Sequence, residues 1–465
     1  MMGEDSRPAG TRVALIRPRY AGEDSEFEEP LGAEAICGYL REHDTEARVF
    51  DRRLNASVRE ISDYNPDWIG FSLMTIEDTP DALRLQQMLQ RSGRRFFAGG
   101  LFVTNSPDQA RALFPDETVL IQGEGEGPVW ELITTGTVQG KLVPEPDEWA
   151  YASRDQMNEY LERGGVINIR TSRGCRGACT FCTTPKNRKP AGHTARSVEK
   201  IADEMLQISR AGFEPVFNFT DDMFGDHIRI ESLIRALDER NLRAAFSLEM
   251  RAREAILTPA ELWPVLHKGG LCRVFTGMES LNAETLKAWQ KPLDPDKLLQ
   301  TVREMHAGGI ACEVGYILWH DGTSPEDAMK EAEKLHDHGL LTPKSALSRL
   351  VIFRGSGLYE KWMTDDMYLC RLQPEAGRMY AEWESLLGNI SPLWTAASCA
   401  QAKMSCRAFL HMEDTQGLRK LETCLERLKE ITWQTLSTGK EPEDELCEEI
   451  WGEISALHIA GSGCR

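Results

Sequence analysis

The run Gly174-Cys175-Arg176-Gly177-Ala178-Cys179-Thr180-Phe181-Cys182 decides how this chain is read. It sets three cysteines at C-x3-C-x2-C spacing, directly after Val166-Ile167-Asn168-Ile169-Arg170, a stretch that reads as a strand ending in a glycine-rich loop. A four-iron cluster is normally held by four thiolates. Three thiolates leave one iron open, and an open metal position lets a metal bind and polarise a small molecule. Zinc is the competing occupant, but structural zinc needs a fourth ligand from a second closely spaced pair, and the nearest histidine, His193, stands alone in a Lys/Arg-rich loop. Three plain buried cysteines fit badly with a Gly-Arg-Gly loop. The spacing favours the cluster.

Composition narrows the setting. At 465 residues the chain exceeds the size at which one hydrophobic core keeps growing, so two or three domains are expected. No stretch approaches the ~20 apolar residues that span a bilayer, which argues against a membrane protein. The polar, acidic start Met1-Met2-Gly3-Glu4-Asp5-Ser6 does not read as a signal peptide. Twelve cysteines, scattered apart from the one group, are no disulfide framework, so a reducing, cytoplasmic location is expected. A formal charge of −19 disfavours nucleic-acid partners, which require accumulated Lys and Arg. Lys186-Asn187-Arg188-Lys189 is the main basic run, and it follows the cysteines so closely that contact with a cluster or a bound anion is an equal reading.

Upstream, five apolar runs read as strands: Arg12–Ile16, Arg48–Asp51, Trp68–Thr75, Arg95–Gly100 and Thr118–Ile121, separated by helix-length segments such as Leu31–Leu40. This alternation predicts an α/β unit with a parallel sheet covered on both faces, whose ligands bind at the carboxyl ends of the strands. The turns Gly99-Gly100 and Gly123-Glu124-Gly125-Glu126 fall at those ends, where glycine permits close backbone approach. Glycine is also ordinary turn chemistry, so these residues alone do not establish a cofactor site.

Downstream, strand and helix alternate with a period near 30 residues. Strands at 216–219, 244–248, 273–277, 311–318 and 349–353 end at Asp221-Asp222, Glu249-Met250-Arg251, Glu279-Ser280, Trp319-His320 and Arg354-Gly355, respectively. Polar residues at the carboxyl ends of successive strands are where barrel enzymes place their chemistry. With the strand before the cysteines the count is six, a partial barrel. From about Pro374 the composition turns to helical spacing, as in Leu418–Leu428. Cys370, Cys399, Cys406, Cys424, Cys447 and Cys464 are too dispersed for a second cluster, and Trp383, Trp394 and Trp433 read as core.

The cysteine motif, with Phe181 before its last cysteine, resembles the radical S-adenosylmethionine (SAM) superfamily. With a five-stranded unit carrying Ser72-x-x-Thr75, Gly99-Gly100 and Gly123–Glu126 in front of it, the chain resembles the cobalamin-binding members, over about residues 10 to 360. The resemblance implies an N-terminal Rossmann-like cobalamin-binding-type domain (1–145), a linker (146–164), a partial (β/α)6 radical SAM barrel (165–365) and a C-terminal helical domain (366–465). It implies three cofactors: a [4Fe-4S] cluster on Cys175, Cys179 and Cys182, SAM, and cobalamin. By position, Phe181, Asp221, Asp222, Glu249, Arg251, Arg253, Glu279 and Ser280 match the family's SAM contacts. Asp221 and Asp222 would meet the methionine amino group, Glu279 and Ser280 the ribose, and Arg251 or Arg253 the carboxylate; Glu249 would meet the ribose or the substrate. Ser72, Leu73, Met74, Thr75, Gly99, Gly100, Gly123, Glu124, Gly125 and Glu126 would line cobalamin.

One departure stands out. The Asp-x-His-x-x-Gly signature, whose histidine ligates cobalt from below, is absent; the chain reads Asp51-Arg52-Arg53-Leu54-Asn55. A side chain near Leu73 or Met74 is expected to face the cobalt instead. The implied function is methyl transfer to an unactivated carbon of a biosynthetic intermediate or peptide, by way of a 5′-deoxyadenosyl radical and methylcobalamin, with an electron donor such as flavodoxin or ferredoxin. Cobalt, the adenosyl 5′ carbon and the substrate carbon would have to converge in one cavity. Rearrangement, cyclisation or epimerisation with the same cofactors is the alternative, and a non-catalytic iron-sulfur binding protein a third.

Overall fold

The computed structural model describes residues 10–19, 29–140, 144–163, 165–184, 192–362, 369–411 and 415–456. The basic run Lys186–Lys189 lies outside them. The chain divides into two compact units, Met1–Arg170 with Lys186–Ser197, and Thr171–Pro185 with Val198–Ser462.

The first unit is built on β1 (Arg12–Arg17), β2 (Glu46–Asp51), β3 (Trp68–Ser72), β4 (Arg95–Gly99) and β5 (Val119–Leu120), all parallel in the order β2-β1-β3-β4-β5. Alternation along the strands explains why both faces are covered. Val13, Leu15, Val49 and Phe97 pack on one face with Leu40 of helix α1 (Leu31–Glu42) and Leu132 of α2 (Glu126–Thr135). Ala14, Ile16, Phe71 and Ala98 pack on the other, with Leu85 and Leu89. The order reverses between β1 and β3, so the crevice for a ligand opens at the carboxyl ends of those strands. A short strand β6 (Ile167–Ile169) closes the unit's main segment.

In the second unit β7 (Val216–Phe219), β8 (Ala245–Glu249), β9 (Leu271–Glu279) and β10 (Ala311–Tyr316) run parallel, each paired with the next. Each is followed or preceded by an amphipathic helix, among them α3 (Val198–Arg210), α4 (His227–Glu239), α5 (Pro295–Ala307) and α6 (Pro325–Asp337). Along β9, Val274, Thr276 and Met278 are buried while Arg273, Phe275, Gly277 and Glu279 on the opposite face are half-buried. That face is the polar interior of the partial barrel.

The expected sixth strand is thinned to isolated bridges, Trp319 with Arg349 and Val351 with Leu369. The reason is local: the amides of Leu318 and Trp319 both donate to the single carbonyl of Ser348, at 3.0 and 2.9 Å, which pinches the pair together instead of letting a ladder run. Leu350 and Ile352 are nonetheless buried as a strand's inner residues would be.

The tail is helical as expected: α7 (Pro374–Leu386), α8 (Ile390–His411), α9 (Thr415–Thr438) and α10 (Asp444–Ala456). Trp383 is buried in one core with Leu299, Val302, Leu335, Leu421 and Ile450, and Trp394 and Trp433 pack against it, so these tryptophans are core. Among the described residues no helix is long and apolar enough to cross a membrane.

Candidate functional site

The cysteine loop is held by two adjacent carboxylates at the end of β7. Asp221 is buried, and its Oδ1 accepts from the amides of Thr171 and Ser172, both at 2.8 Å, while Oδ2 takes the Thr171 hydroxyl. Burial pushes its pKa up to about 6, against the pull of these donors. Asp222 is exposed and spans the loop: Oδ2 accepts from the Gly174 amide at 3.1 Å and Oδ1 from the Thr184 hydroxyl at 2.9 Å. Every cysteine of the motif lies between those two contacts. Gly174 sits at φ +80, a left-handed turn open to glycine at little cost.

Inside the loop, the Thr180 amide donates to the Trp289 carbonyl at 2.9 Å and the Thr180 carbonyl accepts from the Leu358 amide at 2.8 Å. Phe181 meets Trp289 edge to face, ring centroids 5.5 Å apart. The three thiols are free and half-buried. The Gly177 amide donates to Cys175 Sγ at 3.4 Å, and a side chain at Gly177 would place its Cβ 3.5 Å from Cys175 Sγ, 3.7 Å from Cys179 Sγ and 3.8 Å from Arg251 Nη2. A glycine thus keeps open the space between two thiols. Burial raises the pKa of Cys175 and Cys179, and Arg251 opposes it at Cys175 as Lys291 does at Cys179. Among the described residues no three His, Cys, Asp or Glu side chains converge on one ion. A cubane asks for one thiolate per iron, spread over its corners, and a half-buried, backbone-pinned set of three thiols fits that demand.

The other residues expected around SAM are distributed at the same strand ends. Glu249 is exposed at the end of β8, where its carbonyl accepts from the Phe224 amide at 2.9 Å. Arg251 pairs with Glu254 at 3.4 Å and Arg253 is exposed. Glu279 adopts φ +65 just after a register shift in β9, and its carboxylate is paired with Lys291 at 2.7 Å. Ser280 is buried and its hydroxyl accepts from the Asn282 amide at 3.0 Å, a turn-forming role. Lys291 and Trp289 escaped the sequence reading; nothing in their own neighbourhood marks them, since their partners lie 12 and 109 residues away.

In the first unit, the loops after β3, β4 and β5 stand side by side. The amides of Met74 and Thr75 donate to Asp78 Oδ2 at 2.7 and 3.1 Å, and Asp78, fully buried, is paired through Oδ1 with Arg17 at 2.5 Å. The signal for Asp78 was in the sequence: Thr75-Ile76-Glu77-Asp78 is a capping-box pattern. Ser72 is half-buried at the strand's end and Thr75 exposed. Leu73 is fully buried, its amide bonded to the Gly99 carbonyl at 2.9 Å and its carbonyl to the Phe102 amide at 3.2 Å. Met74 is 47% exposed, as is Leu101 after β4. Of Leu73 and Met74, near which a side chain was expected to face the cobalt, Leu73 is enclosed and Met74 exposed. Gly100 has φ +104, and a Cβ there would fall 2.3 Å from the Leu73 carbonyl oxygen. The Gly123 amide donates to the Thr104 hydroxyl at 3.0 Å, with open space on its Cβ side. Gly125 sits over Ile36, Glu124 is half-buried and Glu126 is buried at the start of α2. Backbone-lined loops with two exposed apolar side chains fit a flat macrocycle of cobalamin type.

A parallel α/β unit with a backbone-lined crevice, joined to a barrel-type unit with three thiols on a clamped loop, defines a cofactor-bearing iron-sulfur protein. Two family models match the chain: the radical SAM superfamily over residues 169–335 and the B12 binding domain over residues 22–133. The chain belongs to the B12-binding radical SAM superfamily, whose cofactors are a [4Fe-4S] cluster, SAM and cobalamin. It is 24% identical over 322 residues to the hopanoid C-3 methylase of Methylococcus capsulatus, covering 62% of this chain and 61% of that protein. It is 23% identical over 317 residues to the bacteriochlorophyllide d C-12(1)-methyltransferase of Chlorobaculum tepidum, covering 63% and 66%. The chain thus spans about three-fifths to two-thirds of the length of these relatives. In fold it matches the cobalamin-dependent SAM radical enzyme OxsB with aqua-cobalamin bound, with a TM-score of 0.75 at 17% identity over 98% of this chain and 77% of that one.

Proposed function

We propose that this protein is a cobalamin-dependent radical SAM methyltransferase acting on an unactivated carbon of a small biosynthetic intermediate. The observation that carries the reading is the three-thiol loop pinned by Asp221 and Asp222, in a chain similar to the hopanoid and bacteriochlorophyllide methylases named above. When bound, the cluster, SAM and cobalamin together supply a carbon-centred radical and a transferable methyl group.

The chain's own residues bind and orient. Cys175, Cys179 and Cys182 would hold the cluster. Asp221 and Asp222 fix the loop's backbone, so their part is in positioning the thiols. Glu249, Arg251 and the Glu279–Lys291 pair offer charged groups at the ends of β8 and β9 for the amino, carboxylate and ribose groups of SAM. Asp78, locked by Arg17, shapes the Met74–Thr75 turn for the corrin. The names of the two methylases make a hopanoid-type triterpenoid or a chlorophyllide-type tetrapyrrole the first compounds to test. A low-potential electron carrier such as flavodoxin or ferredoxin, in the cytoplasm, would serve as reductant.

The test is anaerobic purification with quantification of iron, sulfide and corrinoid, then reduction with SAM and candidate substrate. Formation of 5′-deoxyadenosine and a product heavier by one methylene supports the reading. 5′-Deoxyadenosine with no methylene gain redirects it to a rearrangement or cyclisation. No 5′-deoxyadenosine, or SAM cleavage that persists when Cys175, Cys179 or Cys182 is replaced by Ala, overturns it.

A further inference from the structure

We propose that Lys291 sets the reduction potential of the iron-sulfur cluster by holding a positive charge beside the Cys179 segment of the thiol loop. The proposal rests on the cluster reading of that loop.

Three contacts fix where this lysine lies. The Trp289 carbonyl, two residues before it, receives the Thr180 amide, the residue after Cys179, at 2.9 Å. The Trp289 ring lies edge to face against Phe181. The chain then turns through Gln290 at φ +54, and the Lys291 ammonium comes to 2.7 Å from Glu279 Oε1. The pair is largely enclosed, 19% and 14% exposed. It fills the space over Gly277, where a Cβ would fall 2.2 Å from Glu279 Oε1 and 2.5 Å from Lys291 Nζ. A side chain at 277 would force the ends of both side chains to shift. Glu279 accepts a left-handed backbone, sparsely populated for a residue with a Cβ, to complete it.

Reduction adds one electron from an external donor, with no proton taken and no bond made. The cluster and its thiolates gain one negative charge, so a fixed cation nearby favours the reduced form, and partial burial shields that attraction from salt. A residue that served only to hold Glu279 for SAM would leave the potential of the SAM-free protein unmoved.

The experiment uses the full-length protein with its cluster reconstituted and no SAM. Dithionite supplies the electron through its sulfur dioxide radical anion, which ends as sulfite, and the reduced cluster is followed by electron paramagnetic resonance across a potentiometric titration. Lys291→Met removes the cation and leaves Glu279 unpaired. It is expected to shift the reduced-to-oxidised ratio at a given potential at least tenfold toward the oxidised form, about 59 mV for one electron. Glu279→Gln frees the cation and is expected to shift the ratio the opposite way, while Lys291→Arg stays near wild type. Wild-type potentials in both the Met and the Gln variants, or shifts of the same sign, overturn the proposal. If Lys291→Met does not take up the cluster, Lys291→Gln, neutral but polar, decides in its place: a downward shift supports the proposal and an unchanged potential overturns it. A wild-type protein with no cluster signal overturns the family reading and this proposal with it. A normal wild-type signal with unmoved variants removes only the proposal.

Discussion

Replacing Asp222 with Ala is expected to loosen the cluster without unfolding the protein. The carboxylate is exposed and makes two hydrogen bonds, to the Gly174 amide and the Thr184 hydroxyl, which bracket all three cysteines. Hydrogen bonds contribute about 0.5–1.5 kcal/mol net, and exposure argues for the middle of that range rather than the larger values of buried charged acceptors. Two such bonds sum to about 2 kcal/mol, roughly 30-fold in the balance between the pinned and the open loop. If iron leaves through the open loop, its loss to a chelator speeds up by that factor, because the open population sets the rate when opening and closing are fast. The assay is anaerobic: reconstituted protein is mixed with excess ferrous chelator, and bleaching of the cluster's visible absorbance is followed over time. Thr184→Val, which removes one bond, should fall between, roughly fivefold faster than wild type. Asp222→Ala losing iron at the wild-type rate would refute the idea that this carboxylate holds the loop.

Three further outcomes are expected. Gly100→Ala combines a left-handed backbone with a 2.3 Å approach to the Leu73 carbonyl, and should destabilise the first unit by about 2–4 kcal/mol and weaken hydroxocobalamin binding, both measurable by absorbance. Asp221 has a folded pKa raised to about 6 from 3.8, so the native state binds more protons than the unfolded one between those values and stability falls as pH rises through that window; Asp221→Asn should flatten this slope in urea midpoints taken from pH 4 to 6, and an unchanged slope would contradict the assignment. Met74→His should give cob(II)alamin-loaded protein a nitrogen splitting in its paramagnetic resonance spectrum that wild type lacks; a nitrogen ligand already present in wild type would rule out Met74 as the residue below cobalt.

The strands were legible because apolar runs bounded by glycine, proline and charge have few other uses. Val13–Ile16, Phe96–Ala98 and Phe217–Phe219 became the inner strands they resembled. β9 was read too short, as 273–277; it runs from Leu271 through a register shift to Glu279, whose carboxylate pairs with Lys291. The cysteine motif was legible because its spacing is itself the chemistry. What the sequence did not disclose is which partner each carboxylate takes. Asp221 and Asp222, expected to meet SAM, bond the backbone around the thiol loop as well, a contact their spacing did not announce, and Asp78 and Lys291 passed unremarked. Pairs separated by 12 to 61 residues leave no periodic trace, and a carboxylate's direction depends on the loop packed over it.

A common device links the two cofactor-bearing units. A strand that ends at a ligand crevice leaves backbone amides with no ladder partner, and buried amides must be satisfied somewhere. Here one aspartate after the strand collects them: Asp78 takes those of Met74 and Thr75, Asp221 those of Thr171 and Ser172, and Asp222 that of Gly174. The chain's own carboxylates therefore contribute to ordering these loops. That matters for affinity, because ordering a loop on binding is charged against the ligand, whereas a loop already pinned leaves the full contact energy to hold it. At Gly177 the restraint comes from Asp222, which brackets the loop through Gly174 and Thr184, while the missing Cβ keeps the gap between two thiols open. At Gly100 the missing Cβ lets the backbone lie close to Leu73.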